Sequence, residues 1–565
     1  MNDNLIIKNT PEITSNIKNV EISDTKIDFE DSKNIDIVFD NYIKNKLSEK
    51  QYTNIFIPLN TGLSNLDFFG INLALHIRFT SGKNQLSNIF IYGISDFEFI
   101  SKHNLLAGSL LTKGIKLIDY SLEEIEKHLE ATQKLNDIDE LKDELKKINI
   151  VNHIQQNEIY NSNNTDSHAV ANIWGALRFA DLTGLNEAIK DNEQLQELKT
   201  DLYYKYITTI SSETEKGNTN QNKITISKTN KNILYIDDNA NQGWGDLLKA
   251  FFEDDIVVIG KEKSEKHPEF IARSKEKIEL GNWHLILLDF RLNPEEDKNQ
   301  REITKISGAK MLEHIKKINA GIQVIMFTAT NKSWNINSLL KIGANGYYYK
   351  ESIENSNNVT NSKININSLT NNVKKCIKNS YLIEIKDTIN EIEDHLETIN
   401  NKIYKPIPRY LDLFYKTLCN SNIIEWAPSY IYLFNIIELI INEKICEVYN
   451  YDSRETKTFF KKDNSELKNI AFNYKGEIIS ENSLPKGKKI SLKNKIYNLI
   501  KNYSYELKDL LMVGEDSLIE IEKLILLRNN YIHQTSSKKL KTKSVQKADV
   551  LNMFLLIKKI TLRLE

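Results

Sequence analysis

Four short apolar runs, each ending in a polar residue, constrain the fold of this 565-residue chain more than any other feature. Each run has the length and continuous apolar character of a strand buried in a parallel sheet. They end at Asp237-Asp238, Asp289, Thr328 and Lys350. In an open α/β sheet, ligands bind at the C-terminal edge of the strands, where these side chains would meet. The sequence therefore predicts three carboxylates, a hydroxyl and a lysine at one sheet edge.

This set of side chains favours a particular chemistry. Three clustered carboxylates repel one another, and a hard divalent cation with oxygen ligands relieves that repulsion. A lysine and a hydroxyl beside them suit the oxygens of a phosphoryl group. The pattern thus indicates a site for a cation and a phosphoryl group.

The order and spacing of these residues resemble the receiver domain of two-component response regulators. The resemblance implies a (βα)5 flavodoxin-like domain with a parallel sheet over residues 231–353, phosphorylated on Asp289 by a partner sensor histidine kinase. It also implies Mg²⁺ as the cation, with the backbone carbonyl of Arg291 completing the protein ligands. The residues that take a role by this resemblance are Asp237, Asp238, Asp289 and Arg291 at the metal, and Thr328, Tyr347 and Lys350 as the switch and phosphate-contacting residues.

Two departures from the family pattern affect the surface around this site. The lysine is normally followed by proline, and here it is followed by Glu351. The loop after Asp289 carries a charged insertion at about residues 293–305. Neither change removes a chemical group, so phosphorylation remains the expectation and an unusual readout surface is predicted. The alternative is an inactive receiver with incidental acids.

The N-terminal part of the chain predicts a separate α/β domain. Residues 1–50 form a polar lead-in or an edge strand, and residues 51–210 alternate strands with helices, which favours a parallel sheet. A later apolar helix contains His168, Asn172 and Arg178. These polar residues indicate either a ligand or partner site, or side chains that satisfy neighbouring carbonyls, and we favour the second interpretation. No family resemblance is evident for this domain.

Two polar segments, residues 211–230 and 354–368, are predicted to be linkers, and residues 369–565 an all-α bundle. Within this region Leu527-Arg528-Asn529-Asn530-Tyr531-Ile532-His533 resembles the R-x4-H motif of HEPN domains, helical bundles found in defence ribonucleases. The resemblance implies that Arg528, Asn529 and His533 form a metal-independent endoribonuclease site, usually completed across a homodimer. A histidine that titrates near pH 7 can move the proton of an RNA 2′-hydroxyl, and arginine can stabilise the phosphate.

The composition of this multidomain protein bears on its binding partners and its cellular location. The formal net charge of −2 gives no global field for nucleic acid or a membrane surface. The three cysteines are scattered and fit a reducing cytosol, and no signal peptide or membrane-spanning run is evident, so a cytoplasmic location is expected. We therefore expect a phosphorelay response regulator with a ribonuclease output, RNA as a candidate substrate and a role in phage defence. The alternative is a non-enzymatic signalling regulator whose end domains bind protein or ligand.

Overall fold

The computed structural model describes most of the chain in two compact units. The described residues are 3–8, 20–23, 34–61, 67–148, 150, 167–211, 223–293, 296, 302–328, 333–351, 359–419, 426–451, 456–463, 466–473, 478–480 and 545–564. The first unit comprises residues 1–318 and 323–378, and the second comprises residues 319–322 and 379–565. The N-terminal and central regions, predicted as separate domains, therefore belong to one unit.

The N-terminal region is built on five parallel strands in the order β2-β1-β3-β4-β5. They are β1 (Asn4–Ile7), β2 (Val20–Ser23), β3 (Asn54–Pro58), β4 (Asn88–Gly93) and β5 (Ile115–Asp119). The first two strands lie within the residues predicted to form a polar lead-in or an edge strand, and β2 is an edge strand of this sheet. That segment is polar overall, but Leu5, Ile6 and Ile7 are buried in the sheet.

Eight α-helices accompany these strands in the described part of the N-terminal region. They are α1 (Ile35–Tyr42), α2 (Phe69–Phe79), α3 (Phe97–His103), α4 (Leu122–His128), α5 (Ile138–Leu145), α6 (Ser167–Thr183), α7 (Glu193–Thr200) and α8 (Leu202–Ser211). Ser121 caps α4 by accepting a hydrogen bond from the backbone N–H of Glu124. Residues 121–147 form two helices, α4 and α5, because Asp137 caps a second start.

The central region contains a second parallel sheet with the same topology. Its strands are β6 (Ile233–Ile236), β7 (Val257–Ile259), β8 (Leu285–Asp289), β9 (Gln323–Thr328) and β10 (Gly346–Tyr349). Its helices are α9 (Trp244–Phe251), α10 (His267–Leu280), α11 (Ser307–Ile318), α12 (Ser333–Ile342) and α13 (Val359–Asn379). Read from β7, the order is second, first, third, fourth, fifth, which is the flavodoxin-like order that the N-terminal sheet also follows.

Both predicted linkers are partly structured. Residues 223–230 run along the first unit, where Ile226 is buried and its N–H donates to the carbonyl of Phe251. Helix α13 begins inside the second predicted linker and contributes Ile366, Leu369 and Val373 to the core. The stripe of apolar residues outweighs the low helix propensity of the surrounding Asn and Ser.

The second unit is a helical bundle with an attached antiparallel sheet. The helices are α14 (Leu382–Ile399), α15 (Pro406–Cys419), α16 (Ala427–Lys444) and α17 (Lys547–Thr561), and the strands, paired in sequence order, are β11 (Ile445–Tyr451), β12 (Thr456–Asp463), β13 (Glu466–Asn473) and β14 (Ile478–Ser480). The expectation of an all-α region over residues 369–565 was therefore wrong. Aromatic and β-branched residues such as Val448, Phe459 and Ile470 favour strands in this otherwise polar segment.

Helix α14 is the first helix of this bundle. Ile385, Ile389 and Ile392 are buried in the bundle core with residues of α15 and α17. Among the described residues, no helix is both long enough and apolar enough to cross a membrane.

Candidate functional site

The C-terminal edge of the central sheet gathers the predicted acidic residues. Asp237 and Asp238 follow β6, and Asp289 is the last residue of the adjacent strand β8. One carboxylate oxygen from each residue can be chosen so that all three lie within 4.8 Å of one another. Asp237 and Asp289 are almost fully buried, so their charges are poorly screened by water.

Lys350, at the end of β10, joins the acids. Its ammonium lies 2.6 Å from Asp237 Oδ2 and 2.7 Å from Asp289 Oδ1, and the side chain is buried. Its backbone N–H donates to the carbonyl of Thr328, which holds the lysine at the strand end. Burial alone would lower the pKa of Lys350, but the two carboxylates outweigh it and raise the pKa, so the ammonium stays charged.

Further contacts orient the acid pair. Asp237 accepts hydrogen bonds from the hydroxyl of Tyr235 and from the backbone N–H of Asn239. Asp238 accepts from the side-chain amide of Asn239, and His267 Nε2 lies 3.4 Å from its other oxygen. His267 was not predicted, because it begins α10 and no strand-end pattern marks it.

The electrostatics of the site favour an added cation. Burial, followed by the negative charges of Asp237 and Asp289, raises the pKa of Asp238 to about 8. Burial also raises the pKa of Asp289 to about 6, with Lys350 opposing the rise and Asp237 adding to it. Three carboxylates against one ammonium leave an excess of negative charge. The oxygen-only donor set and this excess fit Mg²⁺, which prefers carboxylate oxygen and water.

The other predicted residues of the site lie at the same edge with different exposure. Thr328 is buried at the end of β9, and Tyr347 is 40% exposed on β10. The backbone N–H of Arg291 donates to Asp289 Oδ2 over 2.9 Å. Gly308, at the start of α11, lets this helix approach the acceptor strand, since a Cβ there would lie 2.4 Å from the Asp289 carbonyl oxygen.

The residue in place of the usual proline has a specific partner. Glu351 is buried, and its Oε2 lies 3.6 Å from Nε of buried Arg178 on α6. Asn172 of the same helix accepts a hydrogen bond on its backbone carbonyl from the indole N–H of Trp244. Arg178 was predicted to satisfy nearby carbonyls and instead faces a carboxylate. The side chain of His168 lies outside the described residues.

The edge of the N-terminal sheet has different chemistry. Its third strand ends in Pro58, where β8 ends in Asp289, and its first strand is followed by Lys8, where β6 is followed by Asp237. A proline cannot accept a phosphoryl group, and a lysine cannot bind a metal beside it in the manner of a carboxylate. At these two described strand ends, the residues therefore differ in chemistry from the acceptor aspartate and the acid pair of the central sheet.

The C-terminal motif residues Arg528, Asn529 and His533 lie outside the described residues. The homodimer and the RNA site inferred from them consequently stay predictions.

Comparisons with known proteins agree with the strand ends described for the N-terminal sheet. The family model of the inactive receiver domain matches residues 8–118, the region for which the sequence showed no evident family. Among solved structures, a CheY-like response regulator receiver domain protein from Methanospirillum hungatei JF-1 shares 22% identity, with 27% of this chain and 96% of that chain covered and a TM-score of 0.19. A response regulator protein from Burkholderia pseudomallei, with a phosphorylated aspartic acid, shares 15% identity over 31% of this chain and 88% of that chain, with a TM-score of 0.17. No curated protein matches the chain. The N-terminal region is thus similar to inactive receiver domains, in agreement with Pro58 and Lys8 at its strand ends.

Proposed function

We propose that this protein is a phosphorelay response regulator that accepts a phosphoryl group on Asp289 of its central domain. The observation that carries the proposal is the buried ammonium of Lys350, which bridges Asp237 and Asp289 within a cluster of three carboxylates. A purely structural ion pair needs one carboxylate, and a third buried acid adds repulsion without a folding benefit. Such an arrangement is typical of a site whose electrostatics serve a ligand.

The proposed reaction moves the phosphoryl group from a phosphohistidine of a partner histidine kinase. A carboxylate oxygen of Asp289 attacks phosphorus, the phosphorus–nitrogen bond breaks, and the leaving imidazole keeps the electron pair and takes up a proton. Lys350 supplies positive charge to the phosphoryl oxygens as negative charge builds on them. Asp289 must be deprotonated to attack, and the nearby ammonium favours that form.

Mg²⁺ fits the same residues. Asp237, Asp238 and Asp289 would hold it, with the backbone carbonyl of Arg291 as a further proposed ligand. When bound, the ion neutralises charge on the phosphoryl oxygens and orients them. The acids of this chain then serve to bind the ion and to keep Asp289 in place.

The test is phosphorylation of the full chain with acetyl phosphate and Mg²⁺. Intact-protein mass should show one added phosphoryl group, labile to base, and peptide mapping should place it on Asp289. Asp289→Asn should abolish the addition, while Asp246→Asn, a change at an exposed position on α9, should not affect it. Phosphate on another residue, or none on the wild-type chain, would contradict the proposal.

The output is proposed from sequence alone. The resemblance of Arg528, Asn529 and His533 to a HEPN motif supports a ribonuclease that the central domain regulates, in the service of phage defence. The competing proposal is a regulator without enzymatic output. The match of residues 8–118 to an inactive receiver family favours a binding or regulatory role for the N-terminal part in either case.

A further inference from the structure

Helix α6 of the N-terminal region is packed into the aromatic core of the central domain. The ring of Phe179 lies 5.5 Å from Trp244 and 5.9 Å from Tyr348, which belongs to the strand that carries Lys350. The rings of Trp244 and Tyr348 are also in contact, 5.9 Å apart. All three side chains are buried, so α6 cannot leave without exposing this cluster.

Trp244 connects α6 to the candidate site. Its indole N–H donates to the backbone carbonyl of Asn172 over 3.0 Å. The ammonium of Lys350 lies 5.6 Å from the centre of the same ring, within the range of a cation–π contact. One side chain therefore touches both the helix and the residue that bridges the two carboxylates.

The backbone beside Lys350 also touches α6. A Cβ on Gly175 would lie 2.9 Å from the carbonyl oxygen of Glu351 and 3.3 Å from the Trp244 ring. The helix thus lies directly against the residue that follows Lys350, with no room for a Cβ at Gly175. Arg178 adds an electrostatic contact at the same point, with its Nε 3.6 Å from Glu351 Oε2.

The opposite side of α6 is attached to the N-terminal region. Trp174 packs edge-on against Tyr204 of α8, with ring centres 4.9 Å apart. Lys205 of α8 in turn pairs with Asp40 of α1 over 2.6 Å, and both are buried. Movement of α6 would therefore disturb its contact with α8 in the region that resembles an inactive receiver.

We infer that α6 is a positioning element for Lys350, through which the N-terminal region opposes phosphorylation of Asp289. The inference rests on the proposed function. Docked α6 holds Trp244 and Glu351, and these hold Lys350 between Asp237 and Asp289. A phosphoryl group on Asp289 draws the ammonium toward its own oxygens, which shifts the segment that α6 contacts. By linkage, phosphorylation weakens the docking of α6 and the docking of α6 disfavours phosphorylation by the same factor.

Hydrogen exchange of the full chain measures this coupling. After treatment with acetyl phosphate and Mg²⁺, amides of residues 167–183 should exchange about tenfold faster in the phosphorylated protein, within the usual range of coupling between sites. Asp289→Asn under the same treatment should show no change. If phosphate is present on Asp289 and α6 exchange is unchanged, the inference is wrong and the proposed function stands. If no phosphate forms on the wild-type chain, both are wrong.

The reciprocal effect is tested by Gly175→Ala. Alanine favours helix over glycine, so any weakening of α6 docking comes from the clash with Glu351 and not from helix propensity. At a fixed concentration of acetyl phosphate and Mg²⁺, the ratio of phosphorylated to unphosphorylated chain should rise about tenfold. Gly108→Ala is the matched control, since a Cβ there meets nothing within 4 Å.

A second variant covers the case in which Gly175→Ala does not fold. Trp244→Phe keeps a ring in the cluster but removes the N–H that reaches Asn172, and it should raise the same ratio several-fold. Ratios equal to that of Gly108→Ala in the folded variants would overturn the inference.

Discussion

Asp238 is a residue of the candidate site whose ionised form destabilises the folded protein. It is a buried acid beside two others, and its pKa of about 8 means that the folded protein resists its ionisation. A side chain kept for folding alone would be neutral or paired with a cation. Lys350 contacts Asp237 and Asp289, whereas Asp238 has His267 Nε2 at 3.4 Å, a group that is charged only when it is protonated.

Replacement of Asp238 by Asn should therefore change how stability depends on pH. In the wild type, the folded pKa lies above the ordinary value of 3.8, so this acid's contribution is fully present below that value and is lost as the pH rises through about 8. Without divalent cations, the thermal midpoint of the wild type should fall by roughly 2–4 °C between about pH 6 and about pH 9, and that of Asp238→Asn should fall less. Mg²⁺ should offset the fall in the wild type only. Equal pH profiles by differential scanning calorimetry would rule out this role, and Asp246→Asn serves as the exposed control.

Among individual residues, the positions at strand ends could be predicted from the sequence. An apolar run that ends in an acid specifies both a strand and its edge, so the positions of Asp237, Asp289 and Lys350 could be read directly. The partner of Glu351 could not, because Arg178 lies in a distant segment and only the packing of α6 brings the two together. His267 was missed because it begins α10 and no strand-end pattern marks it.

At the scale of elements, α6 connects two sheets of the same topology. The second receiver-like sheet was missed because recognition depended on acidic strand ends, and β1 and β3 lack them. The four strands after α16 were missed because their alternation is interrupted by lysines. Parallel strands with helices between them were still predictable from their periodicity.

The buried pair of Arg178 and Glu351 gives a prediction about this element. Arg178→Met should leave Glu351 buried without its cation and lower the free energy of unfolding of the first unit by about 3 kcal/mol. Arg178→Met combined with Glu351→Leu should recover most of that loss, because an apolar pair removes the uncompensated charge. Thermal unfolding followed by the fluorescence of the tryptophans would report the change. A double variant as unstable as the single one would show that the pair does not act as a unit.

At the scale of the whole molecule, we expect the two parallel five-stranded sheets to have different roles. Among the described strand ends, three clustered carboxylates and a lysine meet at the edge of the central sheet, so one phosphoryl group per chain is expected. In the N-terminal sheet, Lys8 and Pro58 stand at the corresponding ends and the last strand ends in Asp119. We therefore expect the N-terminal region to regulate the central domain through α6, and the second unit to carry the output.

The output prediction concerns Arg528 and His533. If their segment is helical, about 3.6 residues per turn places them roughly 140° apart, so they meet at one phosphate only if the helix ends between them or a second chain contributes. We therefore expect an active homodimer in which Arg528→Ala and His533→Ala each abolish RNA cleavage, whereas the neighbouring Asn530→Ala retains it. Cleavage by protein already in its active state should persist in chelator and leave a 2′,3′-cyclic phosphate.

A mixture of the two inactive variants should regain some activity if the site is shared between chains. A folded dimer that cuts no RNA with or without phosphate on Asp289 would favour the regulator without enzymatic output.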